Sequence, residues 1–324
     1  MKLHAKIILA LIIAAAIIAS VALIVLNPRI PDTGYEETVD SLKIMENTRQ
    51  TALPQTEVYN LISEHFNSPL PEGKTEKKAI VIGYDGCRAD ALSLINRSNP
   101  SAVTALVENG GHAVFSYCGG VNMPEKNTQK TSTAPGWCSM LTGKWADVHG
   151  IYENYQPKTV EPKTLLLSLV ENGTIDSSAF YVSWAGHFSK PKATYINELD
   201  YIEKNNINSV FLKADDDDGT IKNVLDDINR EDCSDFIFLT LEFTDHNGHG
   251  SGFSLQNPKY VDGFYSAEEA GFRFIDAIKS RPAYSTEDWL IIITTDHGGI
   301  KRNHGGSSIQ ERTTFIVSNK DILK

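Results

Sequence analysis

The sequence predicts an α/β fold with a largely parallel central sheet and helices on both faces. Three observations carry that prediction. Three runs, Ala79–Tyr84, Phe236–Phe243 and Trp289–Thr295, are almost continuously apolar, as strands covered on both faces are. Helical patterns alternate with them along the chain, which is the order of a doubly covered sheet. Each run also leads into an aspartate, Asp85, Asp245 or Asp296.

Taken in order, the chain opens on Ile7–Leu26, twenty residues with Ser20 as the one polar member. At about 1.5 Å per residue such a helix spans a hydrocarbon core of roughly 30 Å. Lys2 and Lys6 precede it, so the short N-terminus is expected in the cytoplasm and the rest outside it. A cleaved signal peptide is the rival reading, but its apolar core ordinarily covers about 7–15 residues. The expectation is therefore an uncleaved anchor over residues 1–27, a single-pass cell-membrane location and an extracytoplasmic remainder.

Residues 28–77 read as a juxtamembrane stalk. Val58, Leu61, Ile62 and Phe66 are spaced for a helix that packs on the main domain. From residue 78 to 324 the pattern is that of one catalytic-sized domain. Helices are expected at Pro100–Asn109, Pro135–Thr142, Thr164–Asn172, Ile221–Ile228 and Ser266–Ser280. Further strands are expected at Ala179–Trp184, Ser209–Leu212 and Thr313–Val317. The stretch of about 145–231 reads as an insert forming a pocket wall, and Asp215–Asp218 within it as a solvated turn. Cys87, Cys118, Cys138 and Cys233 form no CxxC pair and read as small buried apolar residues. A formal net charge of −11 argues against binding a nucleic-acid duplex, which needs a basic surface.

Ligands of open parallel sheets bind beyond the carboxyl ends of the strands, so three strand-end aspartates should meet at one rim. His246, His249, His297 and His304 collect in the same part of the chain. Asp245 and His249 are four residues apart, His297 adjoins Asp296, and glycines follow His297 and His304. Carboxylates with imidazoles, and no thiolate cluster, suit zinc or manganese in a catalytic setting. Upstream, Gln129–Gly143 reads as a loop entering a short helix, with Pro135 in its first turn. Thr133 would stand just ahead of that N-terminus, where unpaired amides favour an anion. On the segment alone, capping by Thr131, Ser132 or Thr133 is the simpler reading.

Six segments in order change that balance: Ile82–Asp90, Thr133–Gly143, Asp147–Ile151, Asp245 with His249, Asp296–Gly299 and His304–Gly306. Together they resemble the alkaline phosphatase superfamily, and within it the type I phosphodiesterase/nucleotide pyrophosphatase branch, over about residues 78–324. The resemblance implies an alkaline phosphatase-like fold and two divalent metal ions, zinc foremost and manganese or magnesium as alternatives. It implies Asp245, His249 and His304 around one metal. Asp85, Asp296 and His297 would surround the other, with the Thr133 oxygen as a further ligand and as nucleophile. Two metals about 4 Å apart would share the substrate phosphate. The implied substrate is a phosphate ester: a nucleotide, a lipid head group or a sugar phosphate.

Relatives in the diesterase branch carry Asn-His after the Thr-x-Pro segment, where this chain has Gly136 and Trp137. These two positions are the candidate substrate contacts, and the phosphate contact of the missing Asn must come from backbone amides or another side chain. Phosphomonoester hydrolysis and phospho-alcohol transfer are the alternative activities, and a non-catalytic metal-binding relative a more distant one. A sulfatase is disfavoured, because Thr133 cannot become formylglycine and no Pro-x-Arg comes after it.

Overall fold

The computed structural model describes residues 53–120, 128–156, 160–188 and 193–322. The apolar run Ile7–Leu26 and the anchor read from it lie outside the described residues. Among the described residues no helix is long and apolar enough to cross a membrane.

Eight strands form one mixed sheet. They are β1 (Leu53–Pro54), β2 (Glu76–Tyr84), β3 (His112–Tyr117), β4 (Ser178–Val182), β5 (Ser209–Lys213), β6 (Phe236–Leu241), β7 (Glu287–Thr294) and β8 (Thr313–Ser318). Their spatial order is β1-β3-β8-β7-β2-β6-β4-β5. Strand β8 runs antiparallel to both its neighbours, and every other pairing is parallel. The expected parallel core is therefore present, with one reversed strand inside it.

The continuous apolar runs arise from burial on two faces. Along β2, Ile80, Ile82 and Tyr84 join one buried cluster, while Ala79 and Val81 join the other. Strand β6 divides in the same way, Ile237 and Leu239 against Phe236 and Phe238, as the two-residue period of a strand requires. The first cluster is roofed by the helices Ala102–Val107, Asp217–Ile228 and Pro258–Lys279. The second is roofed by Glu57–Asn67, Thr133–Thr142 and Leu165–Glu171. Each such aliphatic or aromatic side chain contributes about 1.5–3 kcal/mol on full burial.

The helix Glu57–Asn67 places Val58, Ile62 and Phe66 in the second cluster, and β1 just before it pairs with β3. Residues 53–67 are thus woven into the sheet and core of the domain. Two local expectations need correction. Residues Asp215–Asp218 are not a simple solvated turn: the Asp216 side chain accepts from Gly219 N and caps a helix that begins at Asp217. There the Asp217 carboxylate is buried, accepting from Ser183 Oγ at 2.6 Å and Glu242 N at 2.8 Å. Strand β6 stops at Leu241, and the next residues form the helix Phe243–Ser251 instead of extended chain. The four cysteines are buried and unpaired with one another, as expected.

The register sets the site. Strand β2 lies between β6 and β7, with Gly83 opposite both Thr240 and Thr294. All three strands are parallel, so the residues beyond their C-terminal ends emerge at one edge of the sheet.

Candidate active site

Asp85 comes directly after β2, is fully buried, and is held by three contacts. Its backbone N donates to Leu241 O at 2.9 Å, and its carbonyl accepts from Thr244 Oγ1. Its Oδ2 accepts from the Trp137 indole Nε1 at 2.9 Å. Asp296, beyond the end of β7, accepts at Oδ1 from Gly86 N at 3.1 Å. Gly86 has φ +64°, and a Cβ there would lie 2.6 Å from Asp245 Oδ1; only glycine lets this turn approach so closely. Asp245 and His249 sit one turn apart on the helix Phe243–Ser251 and so share a face.

The six expected ligands converge as two groups, Asp245 with His249 and His304, and Asp85 with Asp296 and His297. Within each group, one ligand atom from every member lies within 4.8 Å of the others. Asp245 Oδ2 is 3.4 Å from His249 Nε2, and its Oδ1 is 3.7 Å from His304 Nε2. His297 Nε2 is 3.6 Å from Asp85 Oδ1 and 3.3 Å from Asp296 Oδ2. The groups adjoin: the His297 and His304 rings stack with centroids 4.0 Å apart. Asp85, Glu242 and Asp245 also bring carboxylate oxygens within 4.8 Å.

Each imidazole has its Nδ1 at a backbone carbonyl. The partners are Arg302 O for His249 at 3.0 Å, Gly298 O for His297 at 2.7 Å and Thr131 O for His304 at 3.1 Å. A carbonyl accepts only, so Nδ1 carries the proton and the bare Nε2 faces the cluster. This is the tautomer a metal-binding histidine needs.

The electrostatics agree. Burial first, then the charge of Asp245, lifts the Asp85 carboxyl well above the ordinary range. Burial and Asp85 do the same to Asp296 and Glu242. Burial pushes Asp245 up to about 7. Burial, then His304, holds His297 well below its usual value; burial, then His249, lowers His304 to about 4. Four desolvated carboxyls and neutral imidazoles form a site that added positive charge would stabilise. Asp85 Oδ1, Asp245 Oδ1, Asp296 Oδ2 and His297 Nε2 are buried without a hydrogen-bond partner among the described residues. Such a set of convergent, unpaired acceptors fits a pair of divalent cations.

Thr133 opens the helix Thr133–Thr142 and is buried, its hydroxyl near enough to Asp85 to favour the charged carboxylate. It lies in the first turn, one position inside the expected boundary, and Ser132 is the N-cap residue. The capping reading fails on the contacts: Ser132 makes no side-chain cap bond, and Thr131 Oγ1 donates to Gly306 O at 2.9 Å. The cap comes instead from Asn154, whose Oδ1 accepts from Ala134 N at 2.8 Å.

Gly136 and Trp137 do not behave as substrate contacts. Trp137 is fully buried behind Asp85, edge-on to Phe238 with centroids 5.7 Å apart, so its ring supports the carboxylate from the protein side. Gly136 donates its N–H to Ser132 O at 2.9 Å, and a Cβ there would lie 2.8 Å from Asp296 Cβ. No side chain fits at 136, because the helix rests on the Asp296 backbone. Sequence reading missed Asn154, which nothing in its local pattern marks. His246 is exposed and belongs to neither group. His149 braces the helix from behind, its Nε2 3.1 Å from Ser139 Oγ. A cavity of about 520 Å³ opens beside Asp245 and His249, lined in part by Trp184, Asp215, Asp216, Glu242 and Phe243.

A sequence model of the type I phosphodiesterase / nucleotide pyrophosphatase family matches residues 79–307. Among solved structures, murine ectonucleotide pyrophosphatase / phosphodiesterase 5 is similar at 18% identity and TM-score 0.46, over 68% of this chain and 57% of that one. The chain therefore spans little more than half the length of that relative. The alkaline phosphatase of the Antarctic bacterium TAB5 is similar at 13% identity and TM-score 0.48, over 75% of this chain and 91% of that one. The C-terminal periplasmic domain of phosphoethanolamine transferase EptC from Campylobacter jejuni is similar at 13% identity and TM-score 0.48, over 76% and 80%. No curated protein matches the chain.

Proposed function

The chain belongs to the type I phosphodiesterase / nucleotide pyrophosphatase family, and from that premise we propose that it is a metal-dependent phosphoric ester hydrolase with Thr133 as its nucleophile. The observation that supports this most is the convergence of Thr133, Asp85 and the two ligand groups at one edge of the sheet. Asp245, His249 and His304 would hold one divalent cation and Asp85, Asp296 and His297 the other, zinc foremost with manganese or magnesium as alternatives. Bound there, the cations would lower the pKa of a coordinated hydroxyl and neutralise charge on the phosphoryl oxygens.

The chain's own groups do the rest. Trp137 and the side chain of Thr244 fix Asp85, and Asp85 in turn orients the Thr133 hydroxyl. The Thr133 oxygen attacks phosphorus in line, the alcohol departs, and water then cleaves the phospho-threonine. Asn154 spends its Oδ1 on Ala134 N, which leaves its amide hydrogens beside Thr133 for a phosphoryl oxygen. It is our candidate for the contact that Gly136 cannot make. The leaving group would occupy the cavity beside Asp245.

A nucleotide or another diester is the leading substrate. The acidic lining of that cavity, Asp215, Asp216 and Glu242 beside Trp184, favours a second reading, in which a phospho-alcohol head group is removed or transferred. Phosphomonoester hydrolysis is the simplest further alternative. We place the catalytic domain outside the cytoplasm on an anchor at Ile7–Leu26, because Lys2 and Lys6 precede that run.

The test is hydrolysis of a nitrophenyl phosphodiester by the full-length chain in detergent with zinc, manganese or magnesium. Measurable turnover is expected, and parallel assays with a monoester and with head-group lipids rank the readings. No turnover with any of the metals and substrates would sink the hydrolase proposal.

A further inference from the structure

Gln55 lies upstream of the region that matches the family, residues 79–307, yet it reaches into the candidate site. Strand β1 and the start of the helix Glu57–Asn67 hold its backbone: its N–H donates to Tyr117 O at 3.0 Å and its carbonyl accepts from Val58 N at 3.2 Å. Its side chain is fully buried, and Nε2 donates to Gly136 O at 3.1 Å and to Asp296 O at 3.4 Å. Those carbonyls belong to residues 81 and 241 positions away along the chain.

They also mark the place where the two halves of the site touch. Gly136 lies in the first turn of the helix that begins with Thr133, and Asp296 is an expected ligand. There is no room for even a methyl group between them. At the far end of the same helix, a Cβ on Gly143 would lie 2.7 Å from the Tyr59 ring. The N-terminal segment therefore grips that helix at both ends. The Gln55 Oε1 is buried without a partner among the described residues. Leaving a buried amide oxygen unpaired is costly, so the residue is placed for what its donor does.

We propose that Gln55 is a positioning residue of the site, clamping the Thr133 helix to the Asp296 loop. The segment before the family-matching region is then part of the active centre. This inference rests on the metal-dependent hydrolase reading, because its consequences are read in metal affinity and turnover. By fixing the two carbonyls together, Gln55 holds the Thr133 oxygen in register with Asp85, Asp296 and His297. It touches neither substrate nor metal.

The experiment compares full-length wild type with Gln55→Met, which keeps length and volume but cannot donate, and with Val58→Ala. Val58 is buried on the same helix, and alanine there keeps the backbone N–H that meets Gln55 O while removing side-chain packing alone. Zinc binding is measured by calorimetry and nitrophenyl phosphodiester hydrolysis by steady-state kinetics, at a temperature where melting curves show all three folded. Gln55→Met is expected to bind one of its two zinc ions about tenfold more weakly and to lose about tenfold in kcat. Its KM should stay within about twofold, because substrate binding is not what the clamp supplies. Val58→Ala should match wild type in both readouts.

Wild-type zinc affinities and kcat in Gln55→Met would overturn the inference. So would an equal loss of kcat in Val58→Ala, which would reduce the effect to general destabilisation. If wild type binds zinc but turns nothing over, the hydrolase reading falls, and the zinc affinity of Gln55→Met still decides the clamp.

Discussion

Thr133 stands beside the candidate ligand groups, where the proposed chemistry needs a nucleophile. It is buried, the cap of its helix comes from Asn154, and it lies near a carboxyl whose pKa burial raises. Replacing it separates chemistry from binding. Thr133→Ala should lose roughly 10⁴-fold or more in kcat, while metal analysis of the purified variant should still find close to two ions per chain. Loss of both ions together with activity would mean that the hydroxyl is structural. Neighbouring residues show what sequence could and could not say at this scale. The convergence of the six candidate ligands was legible because acidic residues at strand ends and histidines beside glycines form a pattern. The duties of Trp137 and Asn154 were not, because each depends on a partner brought near by folding alone. Trp137 was a candidate substrate contact, yet its indole N–H is aimed at Asp85.

Secondary-structure elements carry their own consequences. The helix Leu165–Glu171 is capped from another helix: Glu198, on Ile196–Asn205, accepts from Thr164 N at 2.7 Å and from Thr164 Oγ1 at 2.8 Å. Burial outweighs these bonds and lifts the Glu198 carboxyl from 4.5 to about 7. A folded-state pKa above the unfolded one means the folded chain holds the proton more tightly. The associated stability is therefore complete below the unfolded value and fades as pH rises through about 7. At about 1.4 kcal/mol per unit, the loss is on the order of 3 kcal/mol. Melting curves of the metal-loaded protein between about pH 5 and pH 8 should show it, and Glu198→Gln should flatten that part of the profile. An unchanged profile in the variant would refute the assignment.

Other elements show why local reading stops where it does. Strand β3 is only partly buried along its length and lacks the continuous apolar run that marked β2, β6 and β7. The helix Phe243–Ser251 contains Gly248 and Gly250, poor helix formers. Packing against Pro258–Lys279 overrides that preference, with no room for a Cβ on Gly248 beside the Phe253 ring.

For the whole molecule, the desolvated carboxyls lead to the prediction that a metal-free chain is the less stable form. Cations that bind only the folded state should add about 2.7 kcal/mol when free metal is a hundred times the dissociation constant. Removing them with a chelator should lower Tm by about 5–10 °C, and restoring zinc should recover it; an unmoved Tm would argue against metal binding at the cluster. The architecture itself was largely legible, because a sheet covered on both faces forces its central strands to be apolar at every position. The reversal of β8 was not, since direction leaves no trace in composition. Nor was the pairing of β1 with β3, although the spacing of Val58, Ile62 and Phe66 did announce the core-packed helix that comes after it.

The order of the strands also governs how this chain can be made. The middle strand, β2, is the first long one to be synthesised, and both its partners arrive late. Lys78, within it, meets Asp235 across 157 residues, and Gly86, just past its end, meets Asp296 across 210. A nascent polypeptide therefore exposes two unpaired, strongly apolar edges until almost all of it has emerged, which is the situation that invites aggregation. Whatever carries the chain out of the ribosome must shield β2 for that whole interval, and the site at its tip is among the last parts of the molecule to come into being.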